Sequence, residues 1–169
     1  QVLRLNALSD ILLKLSSLDA NKGLMKKEEV SLYELVTYAL DSLDLKRSTN
    51  VEIAESLKEN IICGDFYWIA EAIINILKNA NNRPLCDKIS IQSHKNPLYT
   101  TLVIEDNGGG IEKENIKKIF KRFYKTPDSN GFGIGLAMAK TIVEKNNGEI
   151  SVSNIDAGAR FEMKFYNVT

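Results

Sequence analysis

The sequence predicts an α+β fold, a two-layer sandwich in which helices cover one face of a mixed sheet, preceded by an N-terminal helix. Three observations lead to this prediction. Several strand-like segments follow each other through short turns, as hairpins do. Helical segments with a broad apolar face fall between these pairs, rather than after each strand as in a doubly wound sheet. The first segment is helical but has only a narrow leucine seam, which is not typical of a core helix.

The N-terminal segment carries leucines that recur three and four residues apart, at Leu5, Leu8, Leu12 and Leu15. This spacing predicts a helix with an a/d seam, and an Asn-x-Gly stop signal follows at residues 21–23. A single helix with one apolar stripe is not stable alone, so it packs on its own domain or on a partner helix. The narrow seam favours a dimerising arm, and we place its boundary with the next domain between residues 21 and 30.

The rest of the chain contains helices and strands in a definite order. Ser31, with Glu34 three residues later, predicts the cap of a second helix whose apolar face extends to Leu43. Alternating or continuous apolar runs predict strands over 51–54, 61–65, 88–95, 100–106, 149–154 and 159–168. Helical periodicity predicts helices over 66–82, 113–124 and 135–148.

The composition is that of an ordinary soluble globular protein, with 44% hydrophobic and 26% charged residues. Lys plus Arg is 22 and Asp plus Glu is 22, so no net field attracts nucleic acid, and we expect no nucleic-acid partner. The longest apolar runs are too short to cross a bilayer, and no signal-peptide pattern is visible. Two widely spaced cysteines and one histidine favour reduced thiols in a cytosolic protein and argue against a histidine-based metal site.

A glycine-rich stretch, "NGFGIGLAMAK", precedes the helix predicted at 135–148. Its glycines, Gly131, Gly133 and Gly135, are suited to a phosphate-binding loop, because exposed backbone N–H groups and the helix dipole both favour an anion. Leu136 stands where a dinucleotide fingerprint, a P-loop or a protein-kinase glycine loop needs glycine, so these three classes are excluded. Taken alone, the motif is equally consistent with a tight packing turn.

A second glycine-rich motif, "EDNGGGI", follows an apolar strand. Asp106 can accept a hydrogen bond from an exocyclic amine, and Gly108 and Gly110 would let a flat ring approach the backbone. In isolation this motif is also consistent with a glycine-rich hairpin whose aspartate caps the turn.

The helix predicted at 66–82 and the residue after it carry polar residues spaced by four, Glu71, Asn75, Asn79 and Arg83, which share one face. Asparagine is a poor choice inside an apolar helix. Paired carboxamides can hold Mg²⁺ and phosphate oxygens without adding charge. The alternative is a solvated polar stripe, but the surrounding "AIINILKNA" is too apolar to favour it.

These elements, in this order, resemble the ATP-binding catalytic domain of sensor histidine kinases, in the superfamily that includes Hsp90-type chaperones, gyrase and MutL. "NILKNANN" is similar to the N box of that family, "EDNGGGI" to its G1 box, "IFKRFYK" to its F box and "GFGIGLAMAK" to its G2 box. The resemblance covers about residues 30–168. It implies an ATP-binding catalytic domain at 26–169, and it implies that residues 1–25 are part of the second helix of a dimerisation and phosphotransfer hairpin.

The resemblance also implies roles for individual residues. Asn79 would coordinate Mg²⁺ beside Asn75, Asp106 would bind the adenine amine, and Lys125 would contact a phosphate. The ATP lid would be residues 125–130. The implied ATP-binding residues are Asn75, Asn79, Asn82, Asp106, Gly108, Gly110, Ile111, Phe120, Phe123, Lys125, Gly131, Gly133, Ile134, Gly135 and Leu136. Within this set the two phenylalanines would anchor the near end of the lid, and the last three glycines would form its far hinge.

Some positions depart from the family pattern. Asn82 stands where a lysine is frequent and Arg83 where an aromatic residue is frequent, and Arg83 could supply the missing charge. Ala159 replaces a threonine near adenine. Chaperone and gyrase-type members have a glutamate base at the position of Asn75, and an amide cannot take a proton from water. The domain should therefore hydrolyse ATP poorly, and we interpret Glu71 as a helix-surface residue rather than a displaced base.

The one histidine, His94, lies on a predicted strand, where a surface position is expected far more often than a phosphoacceptor. The resemblance therefore implies a protein-histidine kinase fragment with ATP and Mg²⁺ as cofactors, which transfers the γ-phosphate to a histidine outside this chain. Its implied partners are its own phosphotransfer hairpin, a second copy in a homodimer and a response regulator. The domain would be cytoplasmic, in a parent protein that is often membrane-anchored. The alternatives are an anti-sigma-type serine kinase and a nucleotide-binding module without kinase activity.

Overall fold

The computed structural model describes residues 2–20, 24–125 and 133–167. We number the elements in chain order. They are α1 (Val2–Ala20), β1 (Glu28–Ser31), α2 (Leu32–Asp41), β2 (Asn50–Ile53), a 3₁₀ helix (Glu55–Glu59), β3 (Ile61–Gly64), α3 (Phe66–Asn81), β4 (Lys88–Lys95), β5 (Tyr99–Asp106), α4 (Lys113–Ile116), α5 (Gly135–Lys145), β6 (Gly148–Ile155) and β7 (Gly158–Tyr166).

The main sheet has five strands in the order β2-β4-β5-β7-β6. The β2–β4 pair is parallel, and the other neighbouring pairs are antiparallel. The sheet is therefore mixed, and the two predicted hairpins, β4–β5 and β6–β7, are both present. Alternate strand positions such as Ile91, Leu102 and Phe161 join one buried apolar cluster with α2, α3 and α5. The predicted α+β sandwich is confirmed.

Helix α3 positions most of the candidate residues, and its sequence explains both of its ends. Asp65 caps the helix, since its carboxylate accepts a hydrogen bond from the Trp68 amide at 3.3 Å. At the other end Asn82 is the C-cap, and Pro84 follows two residues later, where a helix cannot easily continue. Ile69, Ile73 and their apolar neighbours on the helix are buried, so α3 is fixed along its length beneath the sheet.

The prediction of a helix over 113–124 is wrong beyond its first turn. Helix α4 ends at Ile116, and the chain then continues in turns. Phe123 has a φ of 66°, a left-handed conformation that an α-helix does not allow. Its amide donates a hydrogen bond to the carbonyl of Gly133 at 2.6 Å. Because Phe123 bonds to a residue ten positions later, the helix predicted over 113–124 cannot continue through it.

Strand β1 was not predicted. It pairs antiparallel with β3 as a separate two-stranded sheet, and Val30 is its buried residue. Glu28 and Glu29 are exposed, so the segment has no apolar alternation from which a strand could be inferred. The pairing with β3 creates this strand.

Helix α1 packs partly on its own domain. Leu15 and Leu18 are buried, and the half-buried Leu8 and Ile11 pack against the same core. The buried stripe shares Leu8 and Leu15 with the predicted seam, but it continues through Ile11 and Leu18, since Leu5 is 65% exposed and Leu12 42% exposed. The dimerising arm stays a prediction, but the C-terminal half of the helix is folded onto the domain. In the described ranges no helix is both long enough and apolar enough to span a membrane.

Candidate nucleotide-binding site

Asp106 ends strand β5 and forms the centre of the first cluster. Its side chain is only 2% exposed. Its Oδ1 accepts hydrogen bonds from the Gly108 amide at 2.8 Å and from Nη1 of Arg83 at 3.3 Å. A nearly buried carboxylate requires such donors, because an unpaired buried charge is strongly unfavourable. The cluster therefore presents a fixed acceptor at the C-terminal end of β5, the central strand of the sheet.

The glycines around Asp106 are required by close approach and by backbone conformation. A Cβ added to Gly158 would lie 1.9 Å from the carbonyl oxygen of Asp106, so the start of β7 packs directly on that peptide. Gly109 and Gly110 have φ values of 101° and 72°, which side chains with a Cβ rarely adopt. Residues 106–111, which we call the base loop, thus form a defined turn held against β7.

Asn154 fixes the far end of this loop, and the sequence analysis missed it. Its Oδ1 accepts a hydrogen bond from the Ile111 amide, and its Nδ2 donates one to the Ile111 carbonyl, both at 2.7 Å. The side-chain amide therefore pairs with one backbone residue as a neighbouring strand would. The sequence signal for this role is an asparagine near the turn of the β6–β7 hairpin, and that position does not indicate Ile111 as its hydrogen-bond partner.

Arg83 pairs with Asp106, and its Nη2 donates a short hydrogen bond to the Gly110 carbonyl. The suggestion that its charge replaces the lysine frequent at the position of Asn82 stays a prediction. Asn82, the neighbouring predicted site residue, is exposed and forms the C-cap of α3. The end of α3 therefore approaches the base loop through Arg83.

Asn75 and the start of α5 form the second cluster. A Cβ added to Gly135 would lie 3.5 Å from the Asn75 Oδ1, so the amide faces the first residue of α5. The Asn75 Nδ2 is buried and has no hydrogen-bond partner among the described residues. Ile134, the N-cap residue, offers no side-chain cap hydrogen bond to the helix. Helix N–H groups and a free amide therefore converge here, as an anion site requires.

The remaining members of this cluster lie close in sequence. Asn79 is half-buried one turn beyond Asn75 on α3, Ile134 is fully buried and Leu136 is half-buried. Among the described residues no group of three or more His, Cys, Asp or Glu could hold a metal ion. A magnesium ion here would instead rely on carboxamide oxygen, nucleotide phosphates and water, which Mg²⁺ accepts readily. The unpaired Asn75 amide and the neutral donor set fit such a complex.

The two described ends of the predicted lid meet each other. Phe120 is half-buried and packs edge-on against Phe161, with ring centroids 6.2 Å apart. A Cβ added to Gly133 would lie 2.7 Å from the Phe123 carbonyl carbon, so these two backbones are in contact. Lys125 is exposed. Gly131 and the predicted lid residues 126–130 lie outside the described residues.

Three further ionisable groups lie outside these two clusters. Burial raises the pKa of the Cys86 thiol, and the negative charge of Asp106 raises it further, so this cysteine stays protonated. Glu71 forms an ion pair with Lys14 of α1 at 2.9 Å, which occupies its carboxylate. His94 is exposed on β4, on the sheet face opposite Ser93 and the helices.

Residues 64–168 match the family model described as histidine kinase-, DNA gyrase B- and HSP90-like ATPase. The chain belongs to this family. Among curated proteins, it is 32% identical over 161 residues to the sensor protein RprX of Bacteroides fragilis, covering 88% of this chain and 31% of RprX. It is 30% identical over 162 residues to the sensor protein kinase WalK of Staphylococcus aureus, covering 90% of this chain and 39% of WalK. The chain thus spans well under half of these relatives.

Solved structures show the same fold. The mycobacterial sensor histidine kinase MprB matches with a TM-score of 0.71 and 24% identity, covering 83% of this chain and 97% of that one. The Acinetobacter baumannii histidine kinase AdeS matches with a TM-score of 0.73 and 24% identity, covering 98% of this chain and 80% of that one. These structures show the fold alone, and the family model and the curated relatives confirm the predicted family, that of the sensor histidine kinase ATP-binding domain.

Proposed function

We propose that this chain binds ATP with Mg²⁺ and transfers the γ-phosphate to a histidine outside residues 1–169, as the catalytic part of a two-component sensor histidine kinase. The observation that carries the proposal is the unpaired, buried amide of Asn75 beside the first turn of α5. It lies on the same helix whose C-terminal end reaches the Asp106 loop through Arg83. Helix α3 therefore connects the anion site at Asn75 with the Asp106 carboxylate, a hydrogen-bond acceptor suited to the amine of a nucleotide base.

The base end would recognise adenine. Among the described residues, Arg83 and Gly108 both donate to Oδ1 of Asp106, which leaves Oδ2 to accept from the adenine amine. Gly108 and Gly110 would border the base, since neither carries a side chain that covers the loop. Ile111, held by Asn154, would contribute the apolar contact.

The phosphate end would use helix α5 and the two asparagines of α3. The backbone N–H groups that follow Ile134 would donate to phosphate oxygens, aided by the dipole of an eleven-residue helix. Asn75 would donate its free Nδ2, and Asn79 would coordinate Mg²⁺ through its amide oxygen. When bound, Mg²⁺ neutralises phosphate charge. Asn82, Lys125 and the far glycines 131, 133 and 135 would complete the phosphate site.

Among the described residues, the phosphate end of the site shows none that could activate water. Asn75 occupies the position next to α5, and an amide is not a base. The carboxylate of Glu71 is paired with Lys14. ATP hydrolysis by the domain should therefore be slow, and the γ-phosphate should go to a supplied nucleophile. We do not expect His94 to be that nucleophile, because it lies on the sheet face opposite the helices and the candidate site.

The remaining expectations follow from this function. Residues 1–25 would belong to the second helix of a dimerisation and phosphotransfer hairpin, and residues 26–169 would be the ATP-binding domain. The intact protein would dimerise and pass its phosphate to a response regulator. This domain would be cytoplasmic, whether or not the parent is anchored in a membrane.

Phosphotransfer to a separate hairpin tests the proposal. The chain is incubated with γ-labelled ATP, Mg²⁺ and a hairpin that carries a histidine on its first helix. We expect label on the hairpin that is stable in alkali and labile in acid, and none with Asp106→Asn. Acid-stable label would indicate a serine kinase instead. Normal ATP binding without any transfer would support a nucleotide-binding module and contradict the kinase.

A further inference from the structure

Arg83 spans the base loop and contacts it at three places. Nη1 donates to Oδ1 of Asp106, Nη2 donates to the Gly110 carbonyl, and the aliphatic part of the side chain packs on Gly108. A Cβ added to Gly108 would lie 3.1 Å from Cβ and from Cδ of Arg83. The side chain thus covers one side of the loop from its first residue to its turn.

The position of Arg83 is itself fixed. Nζ of Lys46 donates to the carbonyl of Arg83 and to that of Cys86, both at 3.1 Å. The side chain of Arg83 is only 20% exposed. A half-buried guanidinium with a fixed backbone and a forked pair of contacts holds its partner more rigidly than a surface cation does.

The contact with Oδ1 has a consequence for base recognition. Oδ1 already accepts two hydrogen bonds, from Gly108 and Arg83, and a carboxylate oxygen has two lone pairs. The oxygen that remains is Oδ2, and it can only accept when the group is ionised. Adenine presents an amine donor at its six position, whereas guanine presents a carbonyl acceptor there. A hydrogen-bond acceptor held in one place therefore favours adenine and repels guanine.

We propose that Arg83 is a positioning residue that sets the base selectivity of the site. It holds Oδ1 of Asp106 and supplies the counter-charge, so that Oδ2 alone faces the six position of the purine. The inference rests on the proposed function, because it needs a nucleotide at Asp106. It adds a residue to that site, at a position whose contact with the base loop no sequence pattern predicts.

The test compares ATP and GTP by titration calorimetry in the presence of Mg²⁺, with the whole chain and with Arg83→Met. We expect the wild type to prefer ATP. In Arg83→Met we expect ATP affinity to fall roughly tenfold or more, the scale for loss of a hydrogen bond to a charged group. GTP affinity should change less, so the ATP-to-GTP ratio shrinks. A merely structural role for Arg83 would weaken both nucleotides alike.

Arg160→Met is the matched control. Arg160 forms an equally specific ion pair, with Glu105 at 2.8 Å, but on the opposite face of the sheet from Asp106. It should leave the ATP-to-GTP ratio unchanged. The melting temperature of each variant, followed by circular dichroism, shows that it is folded.

Three results would overturn the inference. The first is an ATP-to-GTP affinity ratio that is the same in Arg83→Met as in the wild type. The second is a gain in ATP affinity in Arg83→Met, which would mean that Arg83 blocks the base. If Arg83→Met does not fold, Arg83→Lys decides, because it keeps the charge but cannot reach both acceptors with a fork. The third result that would overturn the inference is an ATP-to-GTP affinity ratio in Arg83→Lys equal to that of the wild type. Failure of the wild type to bind ATP would instead reject the proposed function itself.

Discussion

Arg122 donates two hydrogen bonds to the carboxylate of Asp19, from Nη2 to Oδ1 at 2.8 Å and from Nη1 to Oδ2 at 3.3 Å. Asp19 lies in the last turn of α1, and Arg122 lies between Phe120 and Phe123 in the segment after α4. The end of the N-terminal helix is therefore joined directly to the segment that leads toward the predicted lid.

This ion pair should respond to acid. The hydrogen bond from Arg122 lowers the pKa of Asp19 below its ordinary value of 3.8, with burial opposing and the charges of Arg122 and Lys145 assisting. Because the folded-state value lies below the unfolded one, the pair favours the folded state above the unfolded pKa. That advantage is lost as the pH falls through the lowered value. An NMR titration of the Asp19 carboxyl measures this.

Arg122→Gln provides the control for that titration. It should return the Asp19 midpoint toward the ordinary value, while the global melting temperature changes little because both side chains are largely exposed. A midpoint that is the same in the two proteins would mean that the pair does not persist in solution.

Asn154→Ala should weaken nucleotide binding without unfolding the chain. The substitution removes both 2.7 Å hydrogen bonds to Ile111, so the end of the base loop loses its fixed position. We expect a fall in ATP affinity of up to about thirtyfold, since the two hydrogen bonds together contribute about 2 kcal/mol. Calorimetry measures the affinity, and Ser151→Ala, at an exposed position of the same strand, is the control. Equal affinities for the two variants would show that the loop needs no such support.

Gly158→Ala should destabilise the whole domain. Its Cβ would meet the Asp106 carbonyl at 1.9 Å, a backbone contact that no side-chain rotation relieves. The free energy of unfolding should fall by about 3 kcal/mol or more, as measured by urea denaturation. Gly135→Ala, whose Cβ would make only ordinary contacts of 3.5–3.8 Å, should keep the wild-type stability. A Gly158→Ala protein as stable as the wild type would contradict the close approach.

Much of the fold could be predicted because its signals are local. The apolar periodicity of α3 and the alternation of β4 and β5 lie within the segments that form them. Strand β1 and the short α4 could not be predicted in this way. The first depends on pairing with β3, and the second ends where Phe123 contacts Gly133. Both the pairing of β1 and the end of α4 therefore depend on contacts between segments that are distant in sequence.

The residues of the candidate site likewise differ in whether a local sequence signal indicates them. Asp106, Asn75 and the glycines could be selected because their residue types are unusual in their own segments. Arg83 and Asn154 could not be assigned partners, since the residues they hold lie 23 and 43 positions away. Only the assembled sheet and α3 bring them to the base loop.

The central claim, a site for ATP with Mg²⁺ that includes Asn79, is tested most directly by calorimetric titration of ATP with Mg²⁺ and with EDTA. The wild type should bind ATP about tenfold or more tightly with Mg²⁺, and Asn79→Ala should lose that difference because its amide oxygen is removed. Lys78→Ala, at the exposed neighbouring position, should behave as the wild type. Equal affinities with and without Mg²⁺ in the wild type, or an undiminished difference in Asn79→Ala, would contradict the account.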